Sequence, residues 1–215
     1  MRKIITLATS KGGAGKTTLA RSLACHWFNV GIEVGVIDAD PQASIISRHD
    51  PEGLLKNMKI VAQPEETVGE TISEMASQCS IVLVDTGGFR NRTTIKALVE
   101  TDLALIPLKA SADDVAGAIE TYNLIKELNN TPERINNPIK YRMILTMTQQ
   151  GTVISRHVRE ELKGMGYLVL NNELYHRVAY PEAAIKGLAP SLLEPESPAA
   201  RDISRIVGEI GEIIN

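Results

Sequence analysis

Apolar residues in this chain gather into short runs separated by stretches with a different period. Six of these runs read as strands: 4–8 (I-I-T-L-A), 33–37 (E-V-G-V-I), a brief 59–61 (K-I-V), 81–84 (I-V-L-V), 101–107 (T-D-L-A-L-I-P) and 141–146 (Y-R-M-I-L-T). They are nearly continuous in apolar character, which suits parallel strands covered on both faces. Between them the apolar spacing shifts to three and four residues. A helix is expected from Lys16 to about Val30, with Leu19, Leu23 and Trp27 on one face and Gly31 as its C-cap. Others are expected near Gln42 to Arg48, from about Glu66 to Ser77, from Asp114 to about Asn129, and from Val153 to Lys163. The last runs from about Pro198 to Ile214, with Ile203, Ile206, Val207, Ile210 and Ile214 as its core stripe. Strand–helix alternation of this kind predicts an α/β fold with a doubly wound, mostly parallel sheet, built by right-handed crossovers. A single domain spanning 1–215 is expected, because a second core would be cramped at this length.

Composition adds mainly exclusions. Hydrophobic residues make up 43% and charged residues 23%, ordinary for a globular protein, and at 4% aromatic there is little to support base stacking. The longest apolar stretches are about five residues, far short of a membrane span. Strand-like residues begin at position 4 with no basic-then-apolar leader ahead of them, which leads to the expectation of a cytoplasmic protein. Cys25 and Cys79 are isolated from each other, so they read as buried reduced thiols with no metal site between them. The net charge of −3 argues against nucleic acid on its own, but it is uneven: residues 131–187 carry 8 Lys+Arg against 5 Asp+Glu, and 188–215 carry 2 against 5.

The chemistry begins at residues 11–18, K-G-G-A-G-K-T-T, placed between the first strand and the first helix. Gly12, Gly13 and Gly15 allow the backbone to curl inward around a phosphate, and the helix N-terminus supplies unpaired N–H groups and a partial positive charge. Lys16 would lie on the β- and γ-phosphates and Thr17 would offer its hydroxyl to Mg²⁺; Ala14 and Thr18 complete the cradle. Two strands then end in carboxylates, at Asp38-Ala39-Asp40-Pro41-Gln42 and at Asp85, and ligands in open α/β sheets sit at such strand ends. Asp85, closing an apolar strand, matches the Walker B arrangement that meets a Mg²⁺ shell, and the flexible Thr86-Gly87-Gly88 that follow suit a γ-phosphate sensor. The alternative for the aspartates at 38 and 40 is that they cap the short helix that follows.

One departure is informative. The strict pattern G-x-x-x-x-G-K-[ST] wants glycine at position 10, where this chain has Ser10 followed by a second lysine, Lys11. The octet with that extra lysine resembles the deviant Walker A motif of the ParA/MinD superfamily of P-loop ATPases. D-A-D-P-Q resembles the family's switch I, and D-T-G-G at 85–88 is similar to small ParA (ParF-like) plasmid-partition and conjugation-associated members. The resemblance implies ATP and Mg²⁺ as cofactors and a nucleotide-sandwich homodimer in which Lys11 reaches the partner's phosphates. It implies that Asp40 orients the attacking water and that Asp38 helps organise Mg²⁺. It also implies slow hydrolysis, because no arginine neighbours the phosphate motifs to act as a finger.

Further along, the resemblance is thinner. It places Thr146 and Met147 near the adenine ring, with plain core packing as the alternative for the methionine. Asp114 is either at the dimer interface or a helix cap. Arg156, Arg159 and Lys163 share one helical face, and Arg177 opens an R-x-x-Y-x-x-A-x-x-x-G segment similar to one on the family's DNA face. Such a stripe is either a solvated face or a contact for DNA phosphates. The acidic Glu209 and Glu212 make the last helix unlike a membrane-binding tail. With no helix-turn-helix ahead of the first strand, DNA binding is expected to be non-specific and nucleoid-wide, the task DNA partitioning, and the partner a ParB-like centromere-binding protein. Accessory ATPases that position DNA-transfer machinery or protein clusters, and a dethiobiotin-synthetase-like ligase on the same fold, are the alternatives.

Overall fold

A computed structural model describes residues 2–87 and 91–214. Among these residues seven parallel strands form one sheet in the order β3-β2-β4-β1-β5-β6-β7. They are β1 (Lys3–Leu7), β2 (Val34–Ala39), β3 (Lys59–Ala62), β4 (Ile81–Thr86), β5 (Leu103–Leu108), β6 (Lys140–Thr148) and the short β7 (Leu174–Tyr175). The helices are α1 (Lys16–Asn29), α2 (Val68–Gln78), α3 (Arg92–Val99), α4 (Ala112–Leu128), α5 (Val153–Gly164), α6 (Ala179–Ile185), α7 (Pro190–Leu193) and α8 (Pro198–Ile214). The expected helix near 42–48 is a single 3₁₀ turn, Ile46–Arg48. The elements α3, β7, α6 and α7 carry no apolar run long enough to announce them, and each is held by packing.

Alternation along the strands divides the core between the two faces of the sheet. Ile5 and Leu7 of β1, Leu83 of β4, and Leu103 and Leu105 of β5 pack with Leu19, Leu23 and Trp27 of α1 and Ile203, Ile206, Ile210 and Ile214 of α8. On the opposite face, Ala104, Ile106 and Leu108 meet Leu124, Ile125 and Leu128 of α4 and Val158 and Leu162 of α5. Ile37, Val82 and Val84 meet Ile72 and Met75 of α2 and Ala97 of α3. β2, β4 and β5 are buried along their whole length, as a sheet covered on both sides requires.

This arrangement fixes where chemistry can occur. β1 lies between β4 and β5, so the loop leaving its C-terminal end opens where the order of connection reverses, the usual ligand crevice of such sheets. In register, Asp85 pairs with Leu7 on one side and Asp38 on the other. By alternation from Leu83 and Val36, both carboxylates emerge on the face that α1 covers.

Candidate functional site

Between β1 and α1 the backbone takes left-handed turns at Gly13 (φ 71°) and Gly15 (φ 85°), conformations that an L side chain strains to adopt. Gly15 is the N-cap of α1, where no side chain caps the helix and no acid stands in the first turn. The helix end is therefore left open to an anion. Residues Thr9 to Thr18 line a cavity of about 490 Å³, together with Asp40, Gln42, Ser44, Gly87 and Met147. Around Gly12 and Gly13 an added Cβ would meet nothing within 4 Å, so the cradle is open on its inner side. Lys16 is half-buried in it, with its pKa lowered by burial and partly restored by the charges of Asp85 and Asp40.

Asp85 is fully buried, and among the described residues neither of its carboxylate oxygens meets a donor in good hydrogen-bond geometry, the Thr17 hydroxyl being the group that faces it. Burial pushes its pKa up from 3.8 to about 7; the Thr17 hydroxyl facing it and Lys16 oppose the rise, while Asp38 and Asp40 add to it. A buried carboxylate with both oxygens vacant, a threonine hydroxyl facing it and an open phosphate cradle alongside form an oxygen donor set suited to a hard divalent cation carried by a polyphosphate. These residues fit ATP with Mg²⁺.

The two aspartates of the 38–42 run behave differently. Asp38 is fully buried and its Oδ2 accepts the N–H groups of Ile45 (2.7 Å) and Ile46 (3.1 Å), while its Oδ1 is 3.4 Å from the Asp40 N–H. Its immediate work is to fold the 40–48 loop, and it reaches the site through its charge on Asp85. Asp40 lines the cavity, its Oδ1 accepting from the Gln42 N–H at 2.9 Å. An added Cβ on Gly87 would stand 2.9 Å from Pro41 Cδ and 3.1 Å from Asp40 Oδ1, so the two loops meet at a point that admits no side chain. Thr86 is tied to β1, its hydroxyl donating to the Leu7 carbonyl at 2.8 Å. Gly88 lies outside the described residues.

Several expected roles need correcting. Thr146 is fully buried, and its hydroxyl donates to the Ala14 carbonyl (2.8 Å) with the Leu108 carbonyl 3.2 Å away; it supports the phosphate loop and is not among the residues lining the cavity. Met147, at φ 54° and 41% exposed, does line the cavity. Of the stripe proposed for DNA, Arg159 is paired with the buried Glu173, which also accepts from Thr148. Lys163 donates to Asn171 (2.8 Å), and Arg177 pairs with the buried Asp202 (2.6 Å) above the Tyr175 ring. Arg156 and Lys163 are exposed and neither makes an ion pair among the described residues, so of the four only Arg159 and Arg177 are neutralised within the chain. Asp114 belongs to the cap of α4, whose N-cap residue is Ser111: Ser111 Oγ accepts the Asp114 N–H and donates to its carboxylate, a reciprocal pair that starts the helix.

Two features were missed at the level of sequence. Ser10 is an anchor, its N–H donating to Thr121 Oγ1 and its hydroxyl to the Gly117 carbonyl, both at 3.1 Å. Arg21 corrects the expectation that no arginine neighbours the phosphate motifs. It is 5% exposed and donates to the Ser44 carbonyl at 2.9 Å. Burial lowers its pKa, Arg48 adds to that, and the charges of Asp85 and Asp38 offset part of it. It braces the 40–48 loop and does not line the cavity. The signal was a charge on the apolar side of α1, between Ala20 and Leu23.

A glycine loop seating an open helix end at the switch point of a parallel sheet, with an ungated carboxylate at the neighbouring strand end, defines a P-loop nucleotide-binding protein. A sequence model of the CobQ/CobB/MinD/ParA nucleotide binding domain matches residues 5–190, and the chain belongs to that family, in the ParA/MinD superfamily. It is 27% identical over 180 residues to Protein ParA of Rhizobium radiobacter, covering 82% of this chain and 80% of that one. It is 25% identical to maintenance of carboxysome distribution protein A of Halothiobacillus neapolitanus, covering 97% of each. The cell division ATPase MinD of Pyrococcus furiosus superposes with a TM-score of 0.77 at 15% identity, over 99% of this chain and 100% of that one, which shows the shared fold.

Proposed function

We propose that this chain is a Mg²⁺-dependent ATPase that closes into a dimer around two ATP molecules and uses that cycle to position cargo, foremost DNA. The observation that carries the reading is the division between two lysines on one loop. Lys16 is half-buried in the cavity against Asp85 and Asp40, whereas Lys11 stands at the cavity's edge with 46% of its side chain exposed. One serves the chain's own phosphates and the other is available to a second copy.

In this reading the loop N–H groups, the α1 N-terminus and Lys16 hold the phosphates, Thr17 and Asp85 hold the metal, and Asp40 orients water. Bound Mg²⁺ would supply neutralisation of charge on the β- and γ-oxygens. Water attacks the γ-phosphorus, the bond to the bridging β-oxygen breaks, and ADP and phosphate leave. Arg21 is committed to Ser44, and among the described residues no arginine lines the cavity; in this reading turnover stays slow until a partner such as a ParB-like DNA-bound protein completes the site. DNA contact would be non-specific and placed on the nucleoid. Its support is the similarity to Protein ParA and to the chromosome-partitioning ATPase Soj of Thermus thermophilus.

Positioning of protein clusters is a second reading with its own observation: three of the four basic residues considered for DNA are engaged within the chain, and the carboxysome-distribution relative aligns over nearly the full length. The deciding experiment measures DNA binding with ATP, ADP and no nucleotide across a salt series. Binding that needs ATP and weakens steeply with salt supports DNA as the cargo track. Binding indifferent to nucleotide removes the central claim.

A further inference from the structure

The first turns of α4 run beneath the leading residues of the phosphate loop. Asp113, Gly117 and Thr121 are spaced by four residues and share one face of the helix, and each meets Ser10 or Lys11. The Ser10 N–H donates to Thr121 Oγ1 (3.1 Å), and the Gly117 carbonyl accepts from both the Ser10 hydroxyl (3.1 Å) and the Thr121 hydroxyl (2.8 Å). Lys11 Nζ lies 4.0 Å from Asp113 Oδ2, so its aliphatic stem follows the helix back over Gly117. A Cβ on Gly117 would stand 2.6 Å from Ser10 Oγ and 2.8 Å from Lys11 Cγ. Glycine is a poor helix former, yet Gly117 sits well inside a 17-residue helix. Its one close contact is with the start of the loop.

We propose that this face of α4 is the seat that aims Lys11. Ser10, Gly117 and Thr121 are positioning residues: they hold the loop and the lysine stem against α4, so the ammonium waits at the cavity edge for the phosphates of ATP bound to a second copy. Asp113 holds it there in the meantime, through a pair exposed enough for phosphate to displace. Ser10, the departure from the strict phosphate-loop pattern, is then the tether that makes the second lysine useful. The inference rests on the reading of Lys11 as a cation for the partner's nucleotide.

The test compares wild type, Gly117→Ala, Lys11→Ala, the double variant and Ser10→Ala, by titration with a fluorescent ATP analogue and by sedimentation with Mg-ATP. Gly117→Ala is expected to keep nucleotide affinity within about twofold and to weaken the dimer by about tenfold, while the double variant matches Lys11→Ala because the helix acts through the lysine. Its unfolding midpoint is expected to fall only modestly, since alanine's helix preference offsets part of the cost of displacing the Ser10 hydroxyl and the Lys11 stem. A normal dimer in Gly117→Ala overturns the seat, as does a Gly117→Ala protein whose nucleotide affinity falls as far as its dimerisation. Should Gly117→Ala fail to fold, Ser10→Ala, which only deletes a hydroxyl, carries the test: an unweakened dimer overturns the proposal. If wild type stays monomeric with Mg-ATP, or Lys11→Ala dimerises normally, the parent reading falls and takes this inference with it.

Discussion

Replacing Asp85 with asparagine should stabilise the nucleotide-free protein while abolishing its response to Mg-ATP. The native pKa of Asp85 lies at about 7 against 3.8 for an exposed aspartate, and at ~1.4 kcal/mol per pH unit its charged form costs the empty fold about 4 kcal/mol above pH 7. The sign follows from proton binding. Between pH 4 and 7 the native state keeps a proton that the unfolded state has lost, so this residue lowers stability as pH rises through that window and has a constant effect beyond it. Asparagine removes the charge, but its buried amide inherits the lack of partners shown by both oxygens, a cost of about 1–3 kcal/mol. The net gain expected at pH 8 is about 1–3 kcal/mol, falling to near zero at pH 5, where the wild-type penalty has shrunk to about 2 kcal/mol. Urea midpoints of both proteins, free of nucleotide and metal, at pH 5 and pH 8 would measure it, because the difference between them cancels the other titrating groups. Adding Mg²⁺ with a non-hydrolysable ATP analogue at ~100 times its Kd should raise wild-type stability by about 2.7 kcal/mol and the variant's by far less. A variant destabilised equally at both pH values would refute the account of Asp85 as a carboxylate held ready for a cation.

Asp40→Ala should bind ATP within about twofold of wild type and lose ~10²-fold or more in single-turnover hydrolysis, since water loses its orienting group; unaltered hydrolysis would remove its role. Lys11→Ala should retain ATP binding by calorimetry yet remain monomeric in sedimentation with Mg-ATP, and a normal dimer would reject the two-copy mechanism. Thr146→Val removes the bond to the Ala14 carbonyl, so ATP affinity should fall by about 1 kcal/mol with the ATP-to-GTP preference unchanged; a changed preference would return Thr146 to the base pocket. Glu173→Gln leaves Arg159 without its charge partner in a largely buried setting and should lower stability by about 3–5 kcal/mol in urea unfolding, whereas Arg156→Ala, at an exposed position, should leave it unchanged.

Much of the fold was legible because parallel strands buried on both faces must be written as apolar runs. β1, β4 and β5 appear in the sequence within two residues of their observed bounds, and α8 at the same bounds. The phosphate loop was legible for a different reason: its conformation depends on glycines at fixed positions, a requirement that survives in one dimension. β7 and α7 were not legible, since two residues of strand and one turn of helix are held by neighbours and not by their own propensity. The basic residues show the same limit. Helical periodicity put Arg156, Arg159 and Lys163 on one face, but it could not show that Glu173, fourteen residues beyond Arg159, folds back to neutralise it.

By itself, then, the sequence determined the alternating architecture, the cradle for phosphates and the carboxylates at the strand ends, because each is encoded by local spacing and backbone allowance. Only the tertiary structure decided what those groups do to one another. Closing the layers buries Asp85 and so drives its pKa upward, parallel register sets Asp38 beside it to add to the rise, the loop amides of Ile45 and Ile46 occupy Asp38, and α4 comes under Ser10 and Lys11 from about a hundred residues away. Charge coupling, desolvation and the direction of a side chain depend on distances through space, and those exist only once the sheet has closed its layers.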